Sequence, residues 1–133
     1  MRSKAGLLLG SLLVLVVGVF IVVLTSPPAF LYPALPFASG SKQAIWKMLR
    51  ESDEGIVKLT TENDAVWYGA KSPQDQAAER MKAEMQAAGW TFVSQEGAGY
   101  FFVRGDEKMV VTSRMWSGEF VLLKRMDGEG KKE

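Results

Sequence analysis

The sequence predicts an α+β protein with one N-terminal transmembrane helix and a small domain, in which one main amphipathic helix packs on one face of an antiparallel sheet. Three observations carry this reading. An uncharged apolar run fills residues 5–24, a helix with clear start and stop signals lies between Ser72 and Gly89, and four short β-type segments follow in succession. The expected organisation is a cytoplasmic N-terminus (1–4), a transmembrane helix (5–24), a proline-rich interfacial stalk (25–40), an outward-facing domain (41–126) and a disordered polar tail (127–133).

Ala5 to Leu24 contains only Ala, Gly, Leu, Ser, Val, Phe and Ile. Twenty helical residues span about 30 Å, the thickness of a bilayer's hydrocarbon core. A buried core helix is rarely apolar on every face in so small a protein. A cleaved signal peptide has a shorter apolar region, about 7–15 residues, and a small-x-small cleavage site; here the run is longer and leads into Thr25-Ser26-Pro27-Pro28. The lipid bilayer is therefore the expected partner of residues 5–24. Arg2 and Lys4 precede the run and the next charge is Lys42. The positive-inside bias then places the N-terminus inside and the domain outside a cell membrane crossed once. Gly6 and Gly10 have the Gly-x-x-x-Gly spacing that lets two helices approach closely. Pro27, Pro28, Pro33 and Pro36 forbid a continuing helix, while Phe30, Leu31, Tyr32, Leu35 and Phe37 suit the headgroup layer or a neighbouring protein.

Beyond the stalk, Ile45, Trp46, Met48 and Leu49 fall on one side of a short helix from Lys42 to Arg50. Ile56 to Thr60 and Ala65 to Tyr68 form a hairpin around Glu62-Asn63-Asp64. Ser72 is the expected cap of the main helix, Pro73 its first residue, and Asp75 a favourable charge at its amino end. Ala77 or Ala78, Met81, Met85 and Ala88 make the core stripe, and Gly89 stops the helix. Trp90–Gln95, Tyr100–Arg104, Lys108–Arg114 and Glu119–Arg125 are then strands of a meander, joined by turns at 96–99, 105–106 and 117–118.

The chain has no cysteine and no histidine. That excludes disulfides, Cys/His zinc sites, haem attached through cysteine, thiol nucleophiles and every mechanism that uses histidine as base. Sixteen Lys and Arg against fifteen Asp and Glu give a formal charge of +1, without the basic excess that nucleic-acid binding usually shows, so no nucleic-acid partner is expected. A Ser-Lys pairing can be drawn from Ser113 with Lys108 or Lys124, but no motif supports it. Asp53-Glu54 and Glu62/Asp64 lack the alternating ligands and central glycine of a calcium loop. Gly97-Ala98-Gly99 does not open a helix, so it is no phosphate cradle, and Arg104-Gly105-Asp106 reads as a tight turn. No catalytic residue, metal or cofactor is expected, and the chain reads as a non-enzyme.

Tyr100-Phe101-Phe102-Val103 and Phe120-Val121-Leu122-Leu123 are apolar at successive positions, so both faces of these strands carry bulky groups. Either the Lys42–Arg50 helix covers the second face, or a protein partner, a second copy or the membrane does. The expected function is protein interaction, as an accessory subunit of a membrane complex or as a homo-oligomer. Trp67, Tyr68, Tyr100, Phe102, Met115 and Trp116 are the candidate contacts. The alternative is a binding module for a lipid, peptide or glycan of the envelope, using Trp67, Tyr68, Trp90, Tyr100 or Trp116.

Ser72-Pro73-Gln74-Asp75, Met81-Lys82-Ala83-Glu84-Met85 and Ala88-Gly89-Trp90-Thr91-Phe92 resemble a pattern of small, N-terminally anchored bacterial envelope proteins. In these a strand, a Ser-Pro-initiated amphipathic helix, a Gly-Trp stop and a short meander follow the anchor. The resemblance covers residues 56–125 and implies a fold but no activity. The chain departs from the lipoprotein members in having no lipid-attachment cysteine, and no functional residue carries over.

Overall fold

A computed structural model describes residues 2–25 and 31–128. The chain divides into two units, residues 1–31 and 32–133. In the first, the helix α1 (Arg2–Thr25) contains an apolar stretch from Lys4 to Val22 that is long and apolar enough to cross a membrane. A signal sequence passes the same test of length and composition. Residues 26–30 of the expected stalk and 129–133 of the expected tail lie outside the described residues.

Among the described residues the second unit is α+β, an open antiparallel sheet of six strands with two helices. In chain order these are α2 (Lys42–Glu51), β1 (Val57–Glu62), β2 (Ala65–Lys71), α3 (Gln74–Ala87), β3 (Thr91–Glu96), β4 (Gly99–Arg104), β5 (Glu107–Trp116) and β6 (Phe120–Asp127). Every expected strand is present within a few residues of its expected ends. The strand order is β1-β2-β6-β5-β4-β3. The β1–β2 hairpin and the β3–β6 meander are thus fused where β2 pairs with β6, from Ala65 opposite Met126 to Lys71 opposite Phe120.

Tight turns close the hairpins. Asn63 and Asp64 both have positive φ (51° and 61°), the mirror-image turn whose twist matches that of paired strands. The helix α3 stops as expected: Gly89 takes φ +93° and the Trp90 amide donates to the Met85 carbonyl at 3.0 Å. Its start differs. Pro73 stands at the cap position with no side-chain hydrogen bond, and the Ser72 amide donates instead to the Glu119 carbonyl at 2.8 Å. The helix begins one residue later than the local pattern assigned, so Ser72 lies ahead of the cap position.

The helix α3 lays Ala77, Ala78, Met81 and Met85 on one face of the sheet, against Ala70, Tyr100, Phe102, Met109, Val111, Val121 and Leu123. Ala88, expected in this stripe, is exposed beyond the helix end. On the opposite face, α2 inserts Ile45 and Leu49 among Trp67, Trp116, Phe120 and Leu122. Of its expected apolar side, Met48 is exposed and Trp46 only half-buried.

The stalk expectation needs correction. From Tyr32 onward the segment is packed into the domain, where Tyr32 and Phe37 are buried in the α2-side cluster with Leu35 against it. Tyr32 meets Trp116 edge-on at 5.0 Å between ring centroids. Trp116 Nε1 donates to the Pro33 carbonyl at 2.8 Å, and Trp46 Nε1 donates to the Tyr32 hydroxyl at 3.0 Å. Aromatic rings that found no helix to join found a sheet face, because an apolar surface on a small domain is covered wherever chain is available.

Close packing of α2 depends on Gly69 in β2. A Cβ built there runs into Leu49 Cδ2, and Leu49 is fully buried. Gly69→Ala is expected to cost about 1–3 kcal/mol through overpacking, and Leu49→Ala about 2–5 kcal/mol through a cavity. In chemical denaturation the double variant is expected to cost clearly less than the sum. Additive losses would show that the two residues do not share this space.

Candidate interaction surface

The cover on the α2 side of the sheet is incomplete. It protects β1, β2 and the ends of β5 and β6 that carry Trp116, Phe120 and Leu122. The diagonal half, over β3, β4 and the other ends of β5 and β6, stays open. Cross-strand register lines up its residues: Ser94 lies opposite Phe101, Phe101 opposite Val110, and Val110 opposite Met126. Val93 is the extra residue of a bulge between Phe92 and Ser94. Val93, Phe101 and Met126 are 57%, 37% and 41% exposed. Together with Val103 and Val110 they form an apolar strip across four strands.

A shallow depression of about 390 Å³ lies along the strip, lined by Val93, Phe101, Val103 and Val110, with Glu96 and Lys108 at its margins. Glu96, Gly99, Thr112 and Lys124 form the next row of the register, so the strip has a polar border.

The segment 32–39 and α2 form the cover on this face, and Glu62 at the end of β1 ties it down. Its carboxylate accepts from the Ala38 amide (3.0 and 3.2 Å), the Ser39 amide (3.0 Å) and the Ser39 hydroxyl (2.7 Å). These hydrogen bonds hold Glu62 below the usual carboxylate range. The Tyr32 hydroxyl donates to Glu119 at 3.0 Å, and burial, joined by this neighbouring carboxylate, pushes its pKa up although the Trp46 hydrogen bond opposes the shift.

Of the contacts expected from sequence, four lie in the core. Trp67 and Trp116 belong to the α2-side cluster, and Tyr100 and Phe102 to the α3-side cluster. A side chain 7% exposed or less presents no surface to a partner, so these four serve packing. Tyr68 is half-buried against the α3 side. Met115 is 42% exposed, but strand parity places it with Ser113 on the α3 side, away from the strip. The rings offered to a small ligand fare similarly: Trp90 is 2% exposed and flanked by the Arg104 and Arg125 guanidinium groups at 4.3 and 5.6 Å.

The open strip was half visible in the sequence. Phe101 and Val103 lie within a run that is apolar on both faces, and parity within such a run cannot tell which members meet the helix. Phe102 faces α3 and Phe101 faces outward. Val93, Val110 and Met126 gave no signal of their own, because their alignment depends on inter-strand register.

Ser113 is 4% exposed and its hydroxyl accepts from Gln74 Nε2 at 2.8 Å. It lies opposite Leu123, whereas Lys124 lies opposite the adjacent Thr112. Ser113 therefore faces the α3 side, and Lys108 and Lys124 face the other, so the drawn Ser-Lys pair does not meet. A polar depression of about 530 Å³ beside Ser113 is lined by Gln74, Gln95 and Tyr100. Its groups bond among themselves: Gln95 Nε2 donates to the Tyr100 hydroxyl at 3.3 Å and the Gly97 carbonyl at 3.1 Å. Among the described residues no group of three or more acidic side chains is placed to hold a metal ion. In α1, Gly6, Gly10, Ser11 and Val14 line a shallow groove.

The chain matches no protein-family model, no curated protein and no solved structure.

The Glu62 contacts make attachment of the cover pH-dependent. Because the folded-state pKa is depressed, their contribution is full above the ordinary glutamate pKa and is lost as pH falls through the lowered value. In an NMR titration the Ala38 and Ser39 amide shifts are expected to move together at a pH below the ordinary glutamate value, and Glu62→Gln to abolish the movement. A midpoint at or above the ordinary value would contradict the assignment.

Proposed function

We propose that this is a single-pass membrane protein, anchored through α1 with its N-terminus in the cytoplasm. Its domain on the far side acts as a non-enzymatic protein-interaction module, either as an accessory subunit of a membrane complex or as a homo-oligomer. The observation that carries the reading is the contiguous open strip of Val93, Phe101, Val103, Val110 and Met126 on the face of the sheet that α2 covers only in part.

Exposed apolar side chains are ordinary when scattered. Contiguous ones rimmed by polar residues mark contact surfaces, and Phe and Met are enriched at interface centres. Lys108, Lys124 and Glu96 supply such a rim. A small-ligand site is typically a concave cavity that encloses most of its ligand, whereas this strip is broad and shallow, which favours a macromolecular partner over the envelope-ligand alternative. Anchoring by a helix that spans the bilayer confines the domain near the membrane and raises its effective concentration toward a partner held in the same plane.

The test is purification of the full-length chain from its native membranes in mild detergent. A stoichiometric protein partner, whether different or identical, is expected to co-purify. Phe101→Asp is expected to reduce its recovery roughly tenfold or more, with thermal stability near that of the parent. Met115→Asp, at similar exposure on the other side of the sheet, is expected to leave recovery unchanged. Equal recovery with both variants would contradict the role of the strip.

A further inference from the structure

We infer that the occupant of the strip is a second copy of this chain, docked face to face about a two-fold axis that runs along the strands between β4 and β5. The inference rests on the protein-interaction reading and names the partner of that same surface. Such an axis exchanges β4 with β5 and β3 with β6. Applied to the register, it lays Phe101 against Val110 of the second copy and the Val93–Ser94 bulge against Met126 of the second copy. The apolar row maps onto itself.

The neighbouring row maps onto itself with opposite charges. It reads Glu96, Gly99, Thr112, Lys124 across the four strands, so the same rotation brings Glu96 of each copy to Lys124 of the other. Neither residue forms an ion pair with another described residue; the Lys124 ammonium lies 5.6 Å from the Trp67 ring. A two-fold contact makes each pairing twice, so complementarity on one strip counts double.

Shape points the same way. The helix α2 stands one layer above β1 and β2, and the open half lies one layer lower. A second sheet packed on the strip sits about 10 Å away with its strands nearly aligned, level with α2. The rotation carries the two α2 helices to opposite ends of the pair, each beside the other copy's β3. That strand is a sheet edge, paired among the described residues only with β4. One contact thus covers both the strip and an edge that would otherwise invite uncontrolled pairing.

Charge reversal in the full-length chain tests this, with oligomeric state read by sedimentation in detergent. The parent is expected to be dimeric. Glu96→Lys and Lys124→Glu are each expected to weaken the dimer about tenfold, and the double reversal to restore it. Within one chain β4 and β5 separate the two residues, roughly 14 Å at the usual strand spacing, so restoration reports a contact between copies. A dimer indifferent to all three variants, or no restoration in the double reversal, would overturn the inference and move self-association elsewhere, such as to the Gly6–Gly10 groove. A monomer that recovers a different protein through Phe101 would overturn the second-copy assignment and leave the interaction reading standing. A monomer that recovers nothing would overturn both.

Discussion

The strand β6 is the constraint on which the domain depends. It is hydrogen-bonded on both sides, to β2 and to β5, and so joins a hairpin and a meander that local sequence would leave as separate sheets. Its first four residues are fully apolar. Val121 and Leu123 point toward α3, Phe120 and Leu122 toward α2, and all four are buried. A central strand of this composition is stable only between two layers. The helix α3 supplies one, and α2 with the Tyr32–Phe37 segment supplies the other. The chain that follows the apolar N-terminal unit is therefore used as core.

That second layer is narrower than the sheet. Ten residues of α2 and one short segment protect β1, β2 and the ends of β5 and β6, and a six-stranded sheet is wider than they can shield. The strip across β3, β4, β5 and β6 is the geometrical remainder. Glu62 and Tyr32 fix where the cover ends, through bonds to Ala38, Ser39, Glu119 and Trp46. The position of the proposed interface thus follows from how the core is closed rather than from a separate motif.

Much of the fold was legible because its signals are local. Gly89 stops α3, the turn at Asn63-Asp64 reverses β1 into β2, and turn residues bound each β-type segment. The pairing of β2 with β6 was not legible, since nothing within either strand names its partner. The packing of residues 32–37 was also missed, because Pro33 and Pro36 argue only against helix and say nothing of where aromatic side chains will rest. The site suffered most. Large aromatic residues drew notice as contacts, yet Trp67, Trp116, Tyr100 and Phe102 are large because the core needs their volume, and the open positions are held by Val93, Phe101, Val110 and Met126. Exposure is decided by register and layer width, which composition does not carry.

If the strip is covered in the working protein, two methionines report it directly. Met126 in the strip and Met115 on the other side of the sheet are 41% and 42% exposed in the single chain. Their intrinsic susceptibility to peroxide is therefore nearly equal. Peroxide oxidation of the full-length protein in its native membranes, followed by mass spectrometry, compares them within one sample. Met115 is expected to be oxidised readily and Met126 to be protected, with protection lost in Phe101→Asp. Equal oxidation of both in the native membrane would contradict a covered strip.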